Sequence, residues 1–180
     1  GLPPTALYIV VAVTAAPALV QAGVTPLAAH FFVFYFGAMS NVTPPVALAA
    51  YTGAGIANAD PMNTSWTALR LALPGFIIPF IIAYDPILLL DTTDGPINYL
   101  RLLWVVITAI IGVYALAVGL GKFIKVRLNI LEQIILLAVA FLLITTNQMM
   151  DIIGLVLFAV VMSVHYLRSR KRVSASNGAN

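Results

Sequence analysis

Six apolar stretches divide the chain, at residues 6–20, 27–56, 66–84, 100–120, 130–146 and 152–167. A helix rises 1.5 Å per residue and a bilayer's hydrocarbon core is about 30 Å thick, so roughly 20 apolar residues cross it. The last four stretches are near that length, the final two at its short end. The first is short for a crossing, and the second is long but broken in the middle by Thr43-Pro44-Pro45. All six are expected to be helical, because in lipid the backbone must satisfy its own polar groups, and a barrel would show alternating ten-residue strands instead. The pattern predicts an all-α, polytopic membrane protein with one discontinuous transmembrane helix.

Composition agrees. Of 180 residues, 62% are hydrophobic and 8% charged, whereas about a quarter of a soluble domain is charged. The absence of cysteine excludes a disulfide framework and a thiolate metal site. The net charge of +3 is local. Lys122, Lys125 and Arg127 share one loop, while Arg168, Arg170, Lys171 and Arg172 open the tail. Two spans separate these clusters, so the positive-inside rule puts both, and the C-terminus, in the cytoplasm. The loop 91–94 then lies outside and 58–65 inside. Arg101 is expected to pair with Asp91 or Asp94, or to reach the headgroups. Tyr84, Tyr99 and Trp104 suit an outer aromatic belt and Trp66 an inner one. The polar tail 173–180 is expected to be disordered. The opening Gly1-Leu2-Pro3-Pro4-Thr5 has no basic leader and reads as an internal start, so a fragment is expected.

The break in the second stretch carries most of the functional information. Proline lacks an N–H, so Pro44 frees the carbonyl of Ser40 and Pro45 that of Asn41. Thr43, before a proline, is pushed toward extended geometry. Gly37 is a further weak point, and Ser40, Asn41 and Thr43 supply polar side chains. An unwound backbone in lipid needs partners. Carbonyls at the negative end of the first half-helix suit a hard cation. A second half-helix, with Thr43 as N-cap and Pro44 at its first position, would offer the N–H groups of Val46 and Ala47 to an anion. Broken helices of this kind line the mid-membrane sites of many transporters. The other reading is a proline kink repaired by neighbouring hydroxyls. Ala47, Ala50, Ala54 and Ala57 give the second half-helix a small face for close packing.

The opening residues Pro3, Pro4 and Thr5 repeat the device before a short apolar stretch, as one arm of a re-entrant hairpin or as a loop entering a short helix. Elsewhere there is no phosphate loop, no His pair at metal spacing and no nucleophile elbow, so no enzyme and no cofactor is expected. His30 suits a structural role, and His165 an interfacial one. Asp85 is expected at a membrane edge, and Glu132 and Asp151 at helix starts, where a carboxylate favours the dipole.

The run from Ala29-His30-Phe31 through Ser40-Asn41-Val42-Thr43-Pro44-Pro45-Val46-Ala47 to Ala54-Gly55-Ile56-Ala57 resembles the large membrane subunit of tripartite ATP-independent periplasmic (TRAP) transporters. It is most similar to the fused permeases that work with TAXI-type binding proteins. Ala59-Asp60-Pro61-Met62 and Pro86-Ile87-Leu88-Leu89-Leu90 extend the likeness. The opening looks like the end of that branch's Gly-Met-Gly-x-Pro-Thr-Thr-Ala-Ala-Tyr signature, with Pro4 and Leu7 as departures. The resemblance implies Na⁺-coupled uptake of small organic acids across the inner membrane, a periplasmic TAXI-type partner and an elevator-type transport domain. It places Gly37, Ser40, Asn41, Thr43, Pro3 and Thr5 at the cation site. Substrate would meet Thr43, Pro44, Pro45, Val46, Ala47 and Thr5. Residues 1–90 would be part of the transport repeat and 91–172 a C-terminal extension. A non-transporting scaffold subunit is the alternative.

Overall fold

The computed structural model describes residues 3–92, 95–124, 126–145 and 147–177, with 171–177 by backbone alone. Gly1 and Leu2 of the opening motif, Thr93 and Asp94 of the expected outer loop, Lys125, Thr146 and the tail end 178–180 lie outside the described residues. Eight α-helices are described: α1 (Pro4–Gln21), α2 (Pro26–Met39), α3 (Leu48–Ile56), α4 (Pro61–Ala72), α5 (Ile78–Tyr84), α6 (Tyr99–Gly121), α7 (Ile130–Ile144) and α8 (Gln148–Asn177). Among the described residues, four segments are long and apolar enough to cross a membrane: α1, Pro61–Tyr84, α6 and the Gln148–Arg170 part of α8. The all-helical, membrane-spanning class is therefore as the apolar pattern predicts.

Local chemistry explains several boundaries. Pro4 stands at the first position of α1, where a missing N–H is harmless, and lengthens the helix to 18 residues. That is about 27 Å, so the shortness expected of this segment is not found. Asp60 caps α4, its carboxylate accepting the Asn63 N–H at 2.7 Å, and Pro61 follows at the first helical position. This helix consequently starts five residues before the apolar stretch that announced it. The stretch does not continue as one helix either. Pro74 and Gly75 fall in a 3-10 segment, Leu73–Ile77, between α4 and α5. At the far end, α8 stays helical to Asn177, into the tail expected to be disordered.

The chain forms two compact units, Gly1–Val105 and Val106–Asn180, so the division falls inside α6 and not at residue 90. Asp85 gives a physical reason. It is 3% exposed, and Arg101 in the first turns of α6 donates to its Oδ2 at 2.8 Å. Arg101 therefore pairs with Asp85, a partner the sequence did not suggest, while the expected partner Asp94 lies outside the described residues. The cause is proximity: the 3-10 turn Pro86–Leu89 reverses the chain just after Asp85, which also accepts the Ile87 N–H.

In the first unit α1 and α2 form an antiparallel hairpin around Ala16, Ala29 and Val33. Its turn uses Gly23 at φ 94, a conformation glycine adopts without penalty. Tyr8 and His30 hydrogen-bond across the pair at 2.9 Å, which gives His30 the structural role expected of it.

The second unit packs α7 and α8 with the Val106–Gly121 part of α6 around Leu136, Val139, Ala140, Leu143 and Val161. Glycines set the spacing. A Cβ added at Gly112 would lie 3.2 Å from the Leu143 Cβ, and one at Gly154 would lie 2.9 Å from its Cδ2. Between membrane helices dispersion at close approach is the main attraction, and small residues allow it. The outward side chains are apolar: Phe141 is 70% exposed and Ile110 64%. The cap of α7 is a capping box in which Glu132 accepts the Asn129 N–H at 2.7 Å. The same carboxylate takes Arg168 at 3.3 Å and His165 at 3.4 Å. His165 is 3% exposed and is a buried partner of Glu132.

Two stability measurements follow from these contacts. Leu143→Ala is expected to destabilise the chain in detergent by about 2–5 kcal/mol, against less than about 1 kcal/mol for Phe141→Ala. Arg101→Ala, which strands a buried carboxylate, is expected to cost about 2 kcal/mol, and adding Asp85→Asn to it should restore most of that. Denaturant unfolding monitored by tryptophan fluorescence reads both, and a double variant as unstable as Arg101→Ala alone would show that the cost does not come from the stranded carboxylate.

Candidate functional site at the broken helix

The helix that enters at Pro26 stops at Met39, tightens into a 3-10 turn over Ser40–Val42 and resumes only at Leu48. At 14 and 9 residues, neither half reaches the roughly 20 needed to cross alone. Thr43 has φ −104 and ψ 120, the extended geometry a following proline imposes. The Pro44–Pro45 peptide is cis. The break foreseen from the two prolines is present.

Its hydrogen bonding is more local than expected. The Ser40 hydroxyl donates to the Gly37 carbonyl at 2.7 Å, and Asn41 Nδ2 to the Ala38 carbonyl at 3.1 Å. Thr43 Oγ1 donates to the Met39 carbonyl at 2.8 Å. The Thr43 N–H reaches the Ser40 carbonyl, the one that Pro44 had freed, at 3.2 Å. Four consecutive carbonyls, 37 to 40, thus each gain a nearby donor. Farther on, Tyr51 donates to the Pro45 carbonyl at 2.7 Å. The carbonyls of Asn41 and Val42, at the centre of the break, accept no hydrogen bond among the described residues.

The start of the second half-helix differs from the expectation. Its N-cap is Ala47, not Thr43, because the Thr43 hydroxyl is turned back to α2. The Ala47 N–H is not free, since it donates to the Thr43 carbonyl at 3.0 Å. Ala47 is fully buried with φ 30 and ψ 42, in the left-handed region that costs a residue with a Cβ about 1 kcal/mol. Backbone strain of this kind persists only where the surroundings over-determine it.

The structure brings the opening residues to this break. The Pro4 carbonyl oxygen lies 3.7 Å, and the Tyr8 nitrogen 4.0 Å, from where a Cβ on Gly37 would stand. Gly37 is buried, and its bare Cα lets the first turn of α1 approach. Pro3, the N-cap of α1, is extended at φ −55 and ψ 148, with Pro4 and Thr5 directly after it. A helix N-terminus, with its positive dipole end, therefore abuts the carbonyl-rich C-terminal end of α2. Of the expected site residues, Gly37 meets the first turn of α1, in which Thr5 follows Pro3 and Pro4, while Ser40, Asn41 and Thr43 bond back onto α2. Pro44 and Pro45 follow along the break, with Pro45 exposed. Val46 and Ala47 lead into α3.

Two residues that the sequence reading did not single out complete the surroundings. Tyr35 donates to the Gly75 carbonyl at 3.0 Å, and its hydroxyl with Met39 Cε lies 3.3 Å from where a Gly75 Cβ would stand. The interrupted α4–α5 span thus sets its own break beside that of α2. The Pro74-Gly75 dipeptide is a breaker signal inside an apolar stretch and could have disclosed it. Phe32 and Phe36 of α2 pack edge-on against Phe80 at 5.1 and 5.9 Å, which fixes α2 against α5.

A broken membrane helix, met at its break by the proline-capped start of a neighbour, invites comparison with transport proteins. Residues 1–93 match the family described as Tripartite ATP-independent periplasmic transporter, DctM component. The chain belongs to the DctM family. No curated protein and no solved structure matches the chain. As a DctM-family chain it is a multi-pass inner-membrane protein of the TRAP permease type, a class that works with a periplasmic substrate-binding protein. The DctM match takes in α1 to α5, and with them the whole junction. It ends before α6, so the three-helix second unit lies beyond the matched region.

The hydroxyl of Thr43 can be tested alone. Thr43→Val leaves the Met39 carbonyl without its side-chain donor and is expected to cost about 1 kcal/mol, whereas Thr43→Ser should stay within about 0.3 kcal/mol. Unfolding midpoints of the two variants decide this, and equal midpoints would remove the hydroxyl from the account.

Proposed function

We propose that this chain forms part of the binding site of a Na⁺-coupled uptake system for small organic acids, supplied by a TAXI-type periplasmic binding protein. The observation that carries the reading is the approach of the α1 first turn to the break of α2 at Gly37. It brings the proline-capped start of α1 against the last turn of α2 before the break. Carbonyl oxygens in unwound backbone replace the water shell of a hard cation, and a helix N-terminus attracts a carboxylate.

In this reading the cation is held by backbone oxygens between Gly37 and Thr43, with the Asn41 and Val42 carbonyls foremost, and by the 3–5 tip. The side chains of Ser40, Asn41 and Thr43 stabilise the unwound turn, and can redirect to the ion when it binds. The substrate carboxylate faces the first-turn amides around Thr5 and the segment from Thr43 to Ala47. Because Ala47 spends its N–H on Thr43, the positive end of α1 is the better-placed anion partner. Helix α1 is the descending arm of a re-entrant hairpin whose tip is at 3–5, and the C-terminus is cytoplasmic. Na⁺ acts as the coupling ion, and no further cofactor enters.

The local pairing of carbonyls 37 to 40 favours a second reading, in which the break is a repaired kink in a scaffold subunit. Uptake of labelled organic acids into proteoliposomes separates the two. The assembled transporter with its binding protein is expected to need inward Na⁺. Asn41→Ala and Pro44→Ala/Pro45→Ala should each lower uptake at least tenfold while the protein still folds. Uptake that ignores both Na⁺ and these substitutions would leave only the kink.

A further inference from the structure

The connection between α6 and α7 is folded back on itself. Lys122 takes φ 58, the Leu128 N–H donates to the Lys122 carbonyl at 3.0 Å, and Phe123 and Arg127 form an antiparallel bridge. This closure brings Lys122 and Arg127 to one surface cavity of about 620 Å³, lined also by Gly121, Phe123, Leu128 and Gln133. Neither cation makes a side-chain hydrogen bond or ion pair among the described residues. The carboxylate nearest in sequence, Glu132, is 7% exposed and already engaged by Arg168 and His165. It does not offset their charge. The cavity is thus an uncompensated cationic recess at the point where two apolar helices end.

We propose that this recess binds the phosphate of an anionic phospholipid. Two cations converging on one cavity suit a phosphodiester, which accepts from both at once. What selects a lipid over a free anion is the apolar apron beside it. Phe123 is 59% exposed, Ile130 71% and Leu131 67%, in the first turn of the apolar helix α7 and the loop before it. These side chains offer a seat for acyl chains directly below the headgroup. Basic pockets between membrane helices are a recognised setting for such headgroups. The recess lies outside the region matched to the DctM family, so the assignment is independent of the transport site.

Native mass spectrometry of the detergent-solubilised chain, titrated with phosphatidylglycerol or phosphatidylcholine of equal chain length, tests it. Phosphatidylglycerol is expected to bind at least tenfold more tightly. Removing both charges in K122Q/R127Q should weaken it about twenty-five-fold, at roughly fivefold per cation. The charge-keeping K122R/R127K should stay within about twofold, which guards against an effect of folding alone, as should R70Q in the first unit. Equal binding of the two lipids, or no change in K122Q/R127Q, would overturn the proposal. So would displacement of the lipid by millimolar inorganic phosphate, which would make the site one for a free anion.

Discussion

In hydrocarbon every backbone polar group must find a partner inside the protein, and the consequences of that constraint run through this structure. Two adjacent prolines remove two donors from a helix that cannot borrow water. The chain responds with the nearest hydroxyl and amide groups, from Ser40, Asn41 and Thr43, each turned back onto a carbonyl three or four residues earlier. What remains unsatisfied is concentrated at Asn41 and Val42. A break with most of its backbone satisfied is stable enough to persist in a membrane helix. Ala47 gives its N–H to the Thr43 carbonyl, and its left-handed geometry then turns the chain so that α3 begins at Leu48.

The break is also held from outside. Gly37 admits the start of α1, Gly75 accepts Tyr35, and Phe32 and Phe36 lock against Phe80. Three interruptions, at the head of α1, between α2 and α3 and between α4 and α5, therefore share one neighbourhood. Interrupted helices packed together can satisfy one another, whereas a lone break facing lipid could not. The second unit follows a different rule. It has continuous helices drawn close by glycine, and a buried charge cluster, Glu132 with His165 and Arg168, ties the cap of α7 to α8.

Much of this was legible in the residues. Apolar length announced the spans, and Pro44-Pro45 announced the break, because a missing N–H is a property of the residue itself and needs no context. The family was legible through the same motif. Errors arose where a side chain had a choice of partners. Thr43 could cap the next helix or bond the last one, and Arg101 could reach any of several carboxylates. Glu132 showed its capping role locally, but its partners at 165 and 168 are 33 and 36 residues away. The interruption at Pro74-Gly75 was visible and was read through, since the apolar run around it suited an unbroken span.

The sequence by itself determined that this chain lives in a membrane, that it is helical and where one helix must break. Those properties depend on residue type and on spacing within a few positions. Only the tertiary structure decided that the opening prolines meet that break, that Asp85 is Arg101's partner and that Lys122 and Arg127 converge. Each of these is a pairing between groups distant along the chain. Their approach is set by glycine-sized gaps and chain reversals whose outcome no local preference specifies.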